Sequence, residues 1–555
     1  MARSSALLTR GDLSASAAGD GRGSHGGTRD DMTKGREESD GLHGTGKLPK
    51  GGLNPDTQGG GKAATASQQA RQLELFSEPA DSPQGDVAGA DTGRPVPAPR
   101  AVPLSGSTKG TALPPMTMEE VADLGRLRWA FEKVRVNDGA PGPDRQSIEE
   151  VEEHLEEILP ELSRSLLDES YRPGMIRRVW IPKAGGGQRG LGIPDVVDRI
   201  VQQAVHLVMN PHYDPTFHAS SHGFRPGRSC HTAITQARRY LEEGFDWVVD
   251  LDLEKFFDRV SHDRLLSRLE ERVTDRRLLR LIRRMLKAKV LMPDGVVVTT
   301  EEGTPQGGPL SSLLSNIVLD ELDLEMTRRG YRFVRYADDT NIYVRSQRSG
   351  QRVMASTIRF IERRLRLKVN ADKSAVAKPE ERHFLGFRLR REPTDGSTEV
   401  LLSKRSLDRI EDTLKAKTPR NWGQTVESCI EALNRYMQGW IGFFWICTAA
   451  VEPTLRHLDA RTRRRLRAII LRHWKHRRTM VRRLVKLGVS LEAAQRSVRK
   501  GRRSWWKLSH TPAVDRGLSN QYFLERGLES LQARWKEKHA RAVVIGPIQL
   551  VLALG

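Results

Sequence analysis

Two groups of carboxylates carry the residue types and spacing for chemistry. Asp252 ends the run Trp247-Val248-Val249-Asp250-Leu251-Asp252. In an extended chain a two-residue period sends Trp247, Val249 and Leu251 to one face and Asp250 and Asp252 to the other. Asp338 and Asp339 are neighbours between two β-rich runs, Phe333-Val334-Arg335-Tyr336 and Asn341-Ile342-Tyr343-Val344, which predicts a hairpin with two acids at its tip. Adjacent acids in a turn are ordinary. An acid at the end of a second strand changes their meaning, because three carboxylates from two strands can converge on a pair of Mg²⁺ ions. Mg²⁺ prefers a few carboxylate oxygens and substrate phosphates to an all-protein cage. Two such ions stabilise the attacking and leaving oxygens of an in-line phosphoryl displacement. The chemistry indicated is nucleotidyl transfer.

The flanking elements follow from periodicity. Thr117-Met118-Glu119-Glu120 resembles a capping box opening a helix. Over 148–167, Val151, Leu155, Ile158, Leu162 and Leu166 form a helical stripe. Val179-Trp180-Ile181-Pro182 reads as a strand before the turn Gly185-Gly186-Gly187, and 196–209 as a helix ended by Asn210-Pro211. Beyond Leu401 the pattern is helical, with Val426, Ile430, Leu433, Met437, Trp440, Ile441 and Phe444 on one side of 424–446.

Composition narrows the partner. The 555 residues include 91 Lys and Arg against 70 Asp and Glu, a net charge of +21, which favours a polyanion, nucleic acid before membrane. Cys230, Cys429 and Cys447 form no paired motif, which excludes a disulfide scaffold and a Cys-rich zinc site and suits a reducing compartment. No apolar run approaches a bilayer span, so a cytoplasmic, nucleoid-associated location and no membrane partner are expected. Residues 1–115 hold 20 of the 49 glycines and one aromatic residue, Phe76. Such a stretch buries too little apolar surface to offset the entropy of ordering, and a disordered tail is expected there.

At the carboxylates the sequence resembles a known family. Tyr336-Ala337-Asp338-Asp339 looks like the YADD box of reverse transcriptases, and 252–258 (DLEKFFD) like their first catalytic box. Five further segments occur in that family's order: 181–194 (IPKAGGGQRGLGIP), 222–231 (HGFRPGRSCH), 303–312 (GTPQGGPLSS), 367–374 (LKVNADKS) and 384–387 (FLGF). The set is most similar to group II intron-encoded reverse transcriptases, or maturases. The resemblance implies an α+β right-hand polymerase, with fingers and an antiparallel-sheet palm over 116–391. It also implies Asp252, Asp338 and Asp339 as catalytic metal ligands, joined by the Leu253 carbonyl. Lys183 and Arg189 are expected on the nucleotide triphosphate, Phe256 beneath the sugar with Phe257 in the core, and Gln306 in the nucleotide pocket. Arg225 and Arg228 are expected on template phosphates, and Lys373 near the primer end.

The last third extends the likeness. Leu433-Asn434-Arg435-Tyr436-Met437-Gln438-Gly439-Trp440 resembles the maturase-specific X domain, a helical thumb placed at 392–483, with Arg435 where relatives often have Pro. Between Arg461 and Arg483, 11 of 23 residues are Arg or Lys and none is acidic. Arg463, Arg464, Arg465, Arg472, Lys475, Arg477 and Arg478 are expected on RNA phosphates. Residues 484–555 are expected to form a basic region, within which 509–531 resembles a small DNA-binding segment. With no cysteine after Cys447, no endonuclease domain of the Cys-pair/His type is expected, and mobility would need another primer, such as nascent DNA at a replication fork. The function implied is RNA-directed DNA polymerisation with two Mg²⁺ ions. Its partners would be dNTPs, intron RNA, and a DNA target and primer, with assistance to splicing and mobility. The rival readings are a reverse transcriptase domesticated for phage defence or DNA repair, and a splicing-only RNA chaperone.

Overall fold

The computed structural model describes residues 113–182, 187–501 and 504–545. The tail expected to be disordered lies outside the described residues except for its last three, and Lys183 lies outside them too.

Ten strands occur among the described residues: β1 (Ile176–Pro182), β2 (Gln188–Ile193), β3 (Trp247–Leu251), β4 (Val290–Leu291), β5 (Val297–Val298), β6 (Arg332–Tyr336), β7 (Asp339–Val344), β8 (Ala375–Ala377), β9 (Phe387–Arg391) and β10 (Thr398–Leu402). The fingers sheet has the order β2-β1-β4-β5. The palm sheet, β6-β7-β3-β8, is antiparallel throughout, and β9 and β10 form a separate hairpin.

The palm sheet separates two cores. Val249, Leu251, Phe333 and Ile342 pack against helices from the fingers and palm, including Val196–Tyr213 and Pro309–Arg328. Val248, Val334, Tyr336 and Tyr343 belong to a second core shared with Ile430, Leu433, Met437 and Trp440 of the helix Val426–Phe444. Both faces are dry over most of their length, which is why the strands are apolar nearly throughout and alternate cleanly only at Asp250 and Asp252. The architecture is the expected α+β right hand, with the palm followed by a helical thumb.

The thumb core continues past residue 483. Leu508, Val514, Phe523, Leu531 and Trp535 join it, and Trp535 Nε1 donates to the Cys447 carbonyl at 3.0 Å. Asp459 accepts from the Leu531 and Gln532 amides at 2.9 and 3.2 Å. It thereby caps the helix Leu531–Ile545.

Several local expectations shift. The 148–167 stripe folds as two helices, Ile148–Glu153 and Leu155–Leu167, broken at His154. Thr117 caps a short helix, Met118–Ala122, while the reciprocal capping box forms at Ser147 and Glu150. The helix from Val196 passes through Pro211 to Tyr213. Proline near a C-terminus removes one donor, and the ladder resumes with Asp214 N–H donating to the Asn210 carbonyl. Among the described residues no helix is long and apolar enough to cross a membrane.

Candidate active site

The register of the palm sheet brings the carboxylates together. β3 and β7 pair Asp250 with Asn341 and Leu251 with Thr340, so one residue further Asp252 stands across from Asp339. β6 and β7 close through Tyr336 and Asp339, leaving Ala337 and Asp338 as the turn. Ala337 sits at φ 55°, a left-handed conformation that an alanine adopts only at a cost.

What holds that turn lies beneath it. Arg335 points from β6 into the first core with its side chain fully buried. It donates Nε to Asp323 Oδ1 at 2.8 Å and Nη2 to Asp323 Oδ2 at 2.6 Å. Nη1 donates to Asn316 Oδ1 at 3.0 Å and to the Ala337 carbonyl at 2.9 Å, and Nη2 also donates to Ser221 Oγ at 2.7 Å. Asp323 and Asn316 belong to the helix Pro309–Arg328, so the guanidinium ties the Ala337-Asp338 turn to that 20-residue helix. The signal for Arg335 was a cation beside Phe333 on the buried parity of an otherwise apolar strand.

Around Asp252 the chain is pinned by its own backbone. Its amide donates to Ser374 Oγ at 3.0 Å, and its carbonyl accepts from the Asn370 amide at 2.8 Å. Lys373 Nζ lies 3.4 Å from Asp252 Oδ2. Asp250, on the same face, is held by Arg382 through Nε at 2.8 Å and Nη2 at 2.6 Å. It is a structural ion pair beside Asp252.

Desolvation and mutual repulsion dominate the electrostatics of the acids. Burial raises the Asp338 carboxyl, Asp252 raises it further, and Arg189 opposes both. Asp339 is also raised, by desolvation and then by Asp338, Asp250 and Asp252, again against Arg189. Arg189, on β2 opposite Ile181, is therefore within electrostatic reach of the acids, as a triphosphate contact requires. The loop carrying Gln306 docks on the same strand, with the Gly192 amide donating to the Gln306 carbonyl at 2.7 Å.

Among the described residues no three His, Cys, Asp or Glu side chains are already gathered into a metal cage. The donors fit Mg²⁺ nevertheless. They are mutually repelling carboxylate oxygens, and Mg²⁺ completes its shell with water and phosphate.

Two assignments are corrected. Phe256 is 2% exposed and lies in the core, whereas Phe257 is only partly buried against it. β3 ends at Leu251, and Lys255 turns to φ 50° and starts a 3-10 turn over Phe256–Asp258, so strand alternation does not tell which ring faces the site. Arg225 is not a free template contact. Its side chain is 6% exposed, and it donates to Asp214 Oδ1 at 2.7 Å, to the Asp214 and His218 carbonyls at 2.8 Å and to the Ser221 carbonyl at 3.0 Å. Arg228 is half-buried, with Nη1 donating to the Ala219 carbonyl at 2.7 Å.

The basic thumb surface divides likewise. Arg472, Lys475, Arg477 and Arg478 are exposed. Arg465 instead caps the helix Lys404–Lys417, donating to the Lys415 and Thr418 carbonyls at 3.0 and 2.7 Å. Arg464 lies 4.0 Å over the Trp506 ring, and Arg463 is half-buried.

Comparison with known proteins identifies two regions of the chain. Residues 181–389 match the family described as "Reverse transcriptase (RNA-dependent DNA polymerase)" and 407–487 match "Group II intron, maturase-specific domain". Protein YkfC of Escherichia coli is 32% identical over 305 residues, 47% of this chain and 80% of that protein. The group II intron-encoded protein LtrA of Lactococcus lactis is 40% identical over 169 residues, 30% of this chain. The chain belongs to the group II intron-encoded reverse transcriptase/maturase family. By family it is an RNA-directed DNA polymerase, of a class that uses divalent metal ions. The LtrA match spans 28% of that protein's length. Among solved structures, a Cas6-RT-Cas1–Cas2 complex chain aligns at a TM-score of 0.30 and 23% identity, over 44% of this chain and 42% of that one, too low a likeness to carry argument.

Proposed function

We propose that the protein extends a primer along an RNA template with dNTPs, and that it binds the intron RNA encoding it to assist splicing and mobility. The observation that carries the polymerase reading is the register placing Asp252 opposite Asp339 with Asp338 in the intervening turn. Two Mg²⁺ ions held by Asp252, Asp338, Asp339 and the Leu253 carbonyl would supply Lewis-acid stabilisation of the attacking and leaving oxygens. Arg189 neutralises triphosphate charge, while Gln306, in the loop docked on β2, borders the nucleotide pocket. Lys373, 3.4 Å from Asp252, would meet the primer end.

The corrected aromatic assignment carries a further role. Phe257, the more open ring of the pair, presents the steric wall against a 2′-hydroxyl, and Phe256 buttresses it in edge contact, ring centroids 5.2 Å apart. The exposed thumb cations supply phosphate contacts to RNA, and the match of 407–487 to the maturase-specific domain favours intron RNA over a defence or repair substrate.

The test is Asp338→Asn. Extension of a DNA primer on RNA is expected to fall to background while affinity for the RNA stays near wild type; full activity in this variant would refute the two-metal assignment.

A further inference from the structure

The loop preceding the helix Cys230–Glu242 contains an aromatic residue in an unfavourable place. Phe224 adopts φ 59°, a left-handed conformation rare for a bulky side chain, and its residue surface is 40% exposed. Its ring lies beside the YADD box, 6.4 Å from the Tyr336 ring centroid and tilted by 47°. Burial therefore explains neither the aromatic type nor the strain.

The surrounding chain is fixed so that this conformation persists. At Gly223 an added Cβ would lie 2.3 Å from the Ala337 nitrogen, so the loop backbone rests directly on the catalytic turn. Asn316 Nδ2 donates to the Gly223 carbonyl at 2.9 Å. On the other side Arg225 is locked to Asp214 and to the His218 and Ser221 carbonyls. The loop also runs along β6, with the His222 amide donating to the Arg335 carbonyl and the Arg335 amide to the Ser220 carbonyl, both at 2.8 Å. Strain held in place by its surroundings next to reactive groups marks a position where the presented side chain has a use.

We infer that Phe224 is a nucleic-acid contact, a rigid aromatic platform that packs against the terminal primer–template base pair beside the catalytic turn. The inference deepens the polymerase reading and rests on it. An aromatic face suits this task because every base pair offers a π-surface, so the contact is independent of sequence, as template-directed synthesis requires. A fixed backbone adds that the ring loses little freedom on binding.

The experiment uses the full-length protein with a DNA primer annealed to an RNA template, measuring dissociation constant, products per binding event and melting temperature. Phe224→Gly relieves the left-handed strain, so it is expected to melt at or above the wild-type temperature while binding primer–template about tenfold more weakly. It should also release primers after fewer additions. Phe224→Trp is expected to retain affinity, and Phe224→Leu to fall between, keeping apolar area without a π-face. Unchanged affinity in Phe224→Gly would overturn the inference, and so would weaker binding accompanied by a lowered melting temperature, which would make the residue merely structural. Failure of the polymerase reading is distinguishable, because then the wild-type protein would not extend the primer at all.

Discussion

Arg335 and Asp323 meet as a two-pronged ion pair, Nε to Oδ1 at 2.8 Å and Nη2 to Oδ2 at 2.6 Å, with neither side chain exposed. Such geometry matches guanidinium to carboxylate, and removing one partner leaves the other as an uncompensated buried charge. Asp323→Asn is therefore expected to destabilise the protein by about 3–5 kcal/mol, read as a shift in the urea midpoint. Arg335→Lys should also cost extension activity beyond its stability loss, since a lysine cannot reach Asp323, Asn316, Ser221 and the Ala337 carbonyl together. Equal activity per folded molecule would show that the turn needs no such anchor.

The two phenylalanines should separate by phenotype. Phe257→Val is expected to admit ribonucleotides with little change in folding. Phe256→Val should destabilise by roughly 1–3 kcal/mol without altering sugar choice, as a large-to-small change in a packed core does. Competition between dNTP and rNTP incorporation, beside thermal unfolding, checks both. The opposite pairing of phenotypes would restore Phe256 to the sugar.

Acid should loosen the palm before it protonates most carboxylates. Burial pushes His206 and His222 each down to about 4, from an ordinary 6.5. Above pH 6.5 both states hold these rings neutral and neither contributes. As pH falls below that value the unfolded chain takes up protons the folded chain refuses, so stability drops between about pH 6.5 and about pH 4. Urea midpoints across that window should decline, and His222→Gln should flatten the decline. A slope unaltered by that substitution would remove His222 from the account.

Salt should discriminate among the thumb cations. Replacing Arg472, Lys475, Arg477 and Arg478 together by alanine is expected to make the log–log salt slope of RNA binding shallower by about 3, near the value for losing four phosphate contacts. Arg465→Ala, which removes a helix cap, is expected to lower stability by about 1 kcal/mol and leave the slope alone. Filter binding across a salt series gives the answer.

How much of this was legible beforehand depended on whether each signal was local. The hairpin bearing Asp338 and Asp339 follows from two β-rich runs and the turn between them, and the strand ending at Asp252 from its own alternation. Their apposition needed the register, which no local pattern contains. The resemblance put Phe257 in the core, yet Phe256 is the buried ring, because β3 ends at Leu251 and the backbone turns left-handed at Lys255. Arg225 was expected on template phosphates from the resemblance, while its acceptors, Asp214 and the His218 and Ser221 carbonyls, are supplied only by the folded loop. Arg335 was visible as a cation on an apolar strand, but its partner Asp323 sits on a helix whose packing the strand does not reveal.

The palm sheet's two dry faces bear on how such chains can evolve. One face is covered by helices of the thumb, whose core also includes Trp535 near the C-terminal end of the described chain. A lineage that no longer had an intron to splice could not simply discard the maturase-like part, because Val248, Val334 and Tyr343 would be left wet and the strands beneath the aspartates would lose their support. A chain cut after the palm would need another cover for that face. Exposed thumb cations such as Arg472 and Arg478 carry no such constraint and can be rewritten while the apolar underside stays.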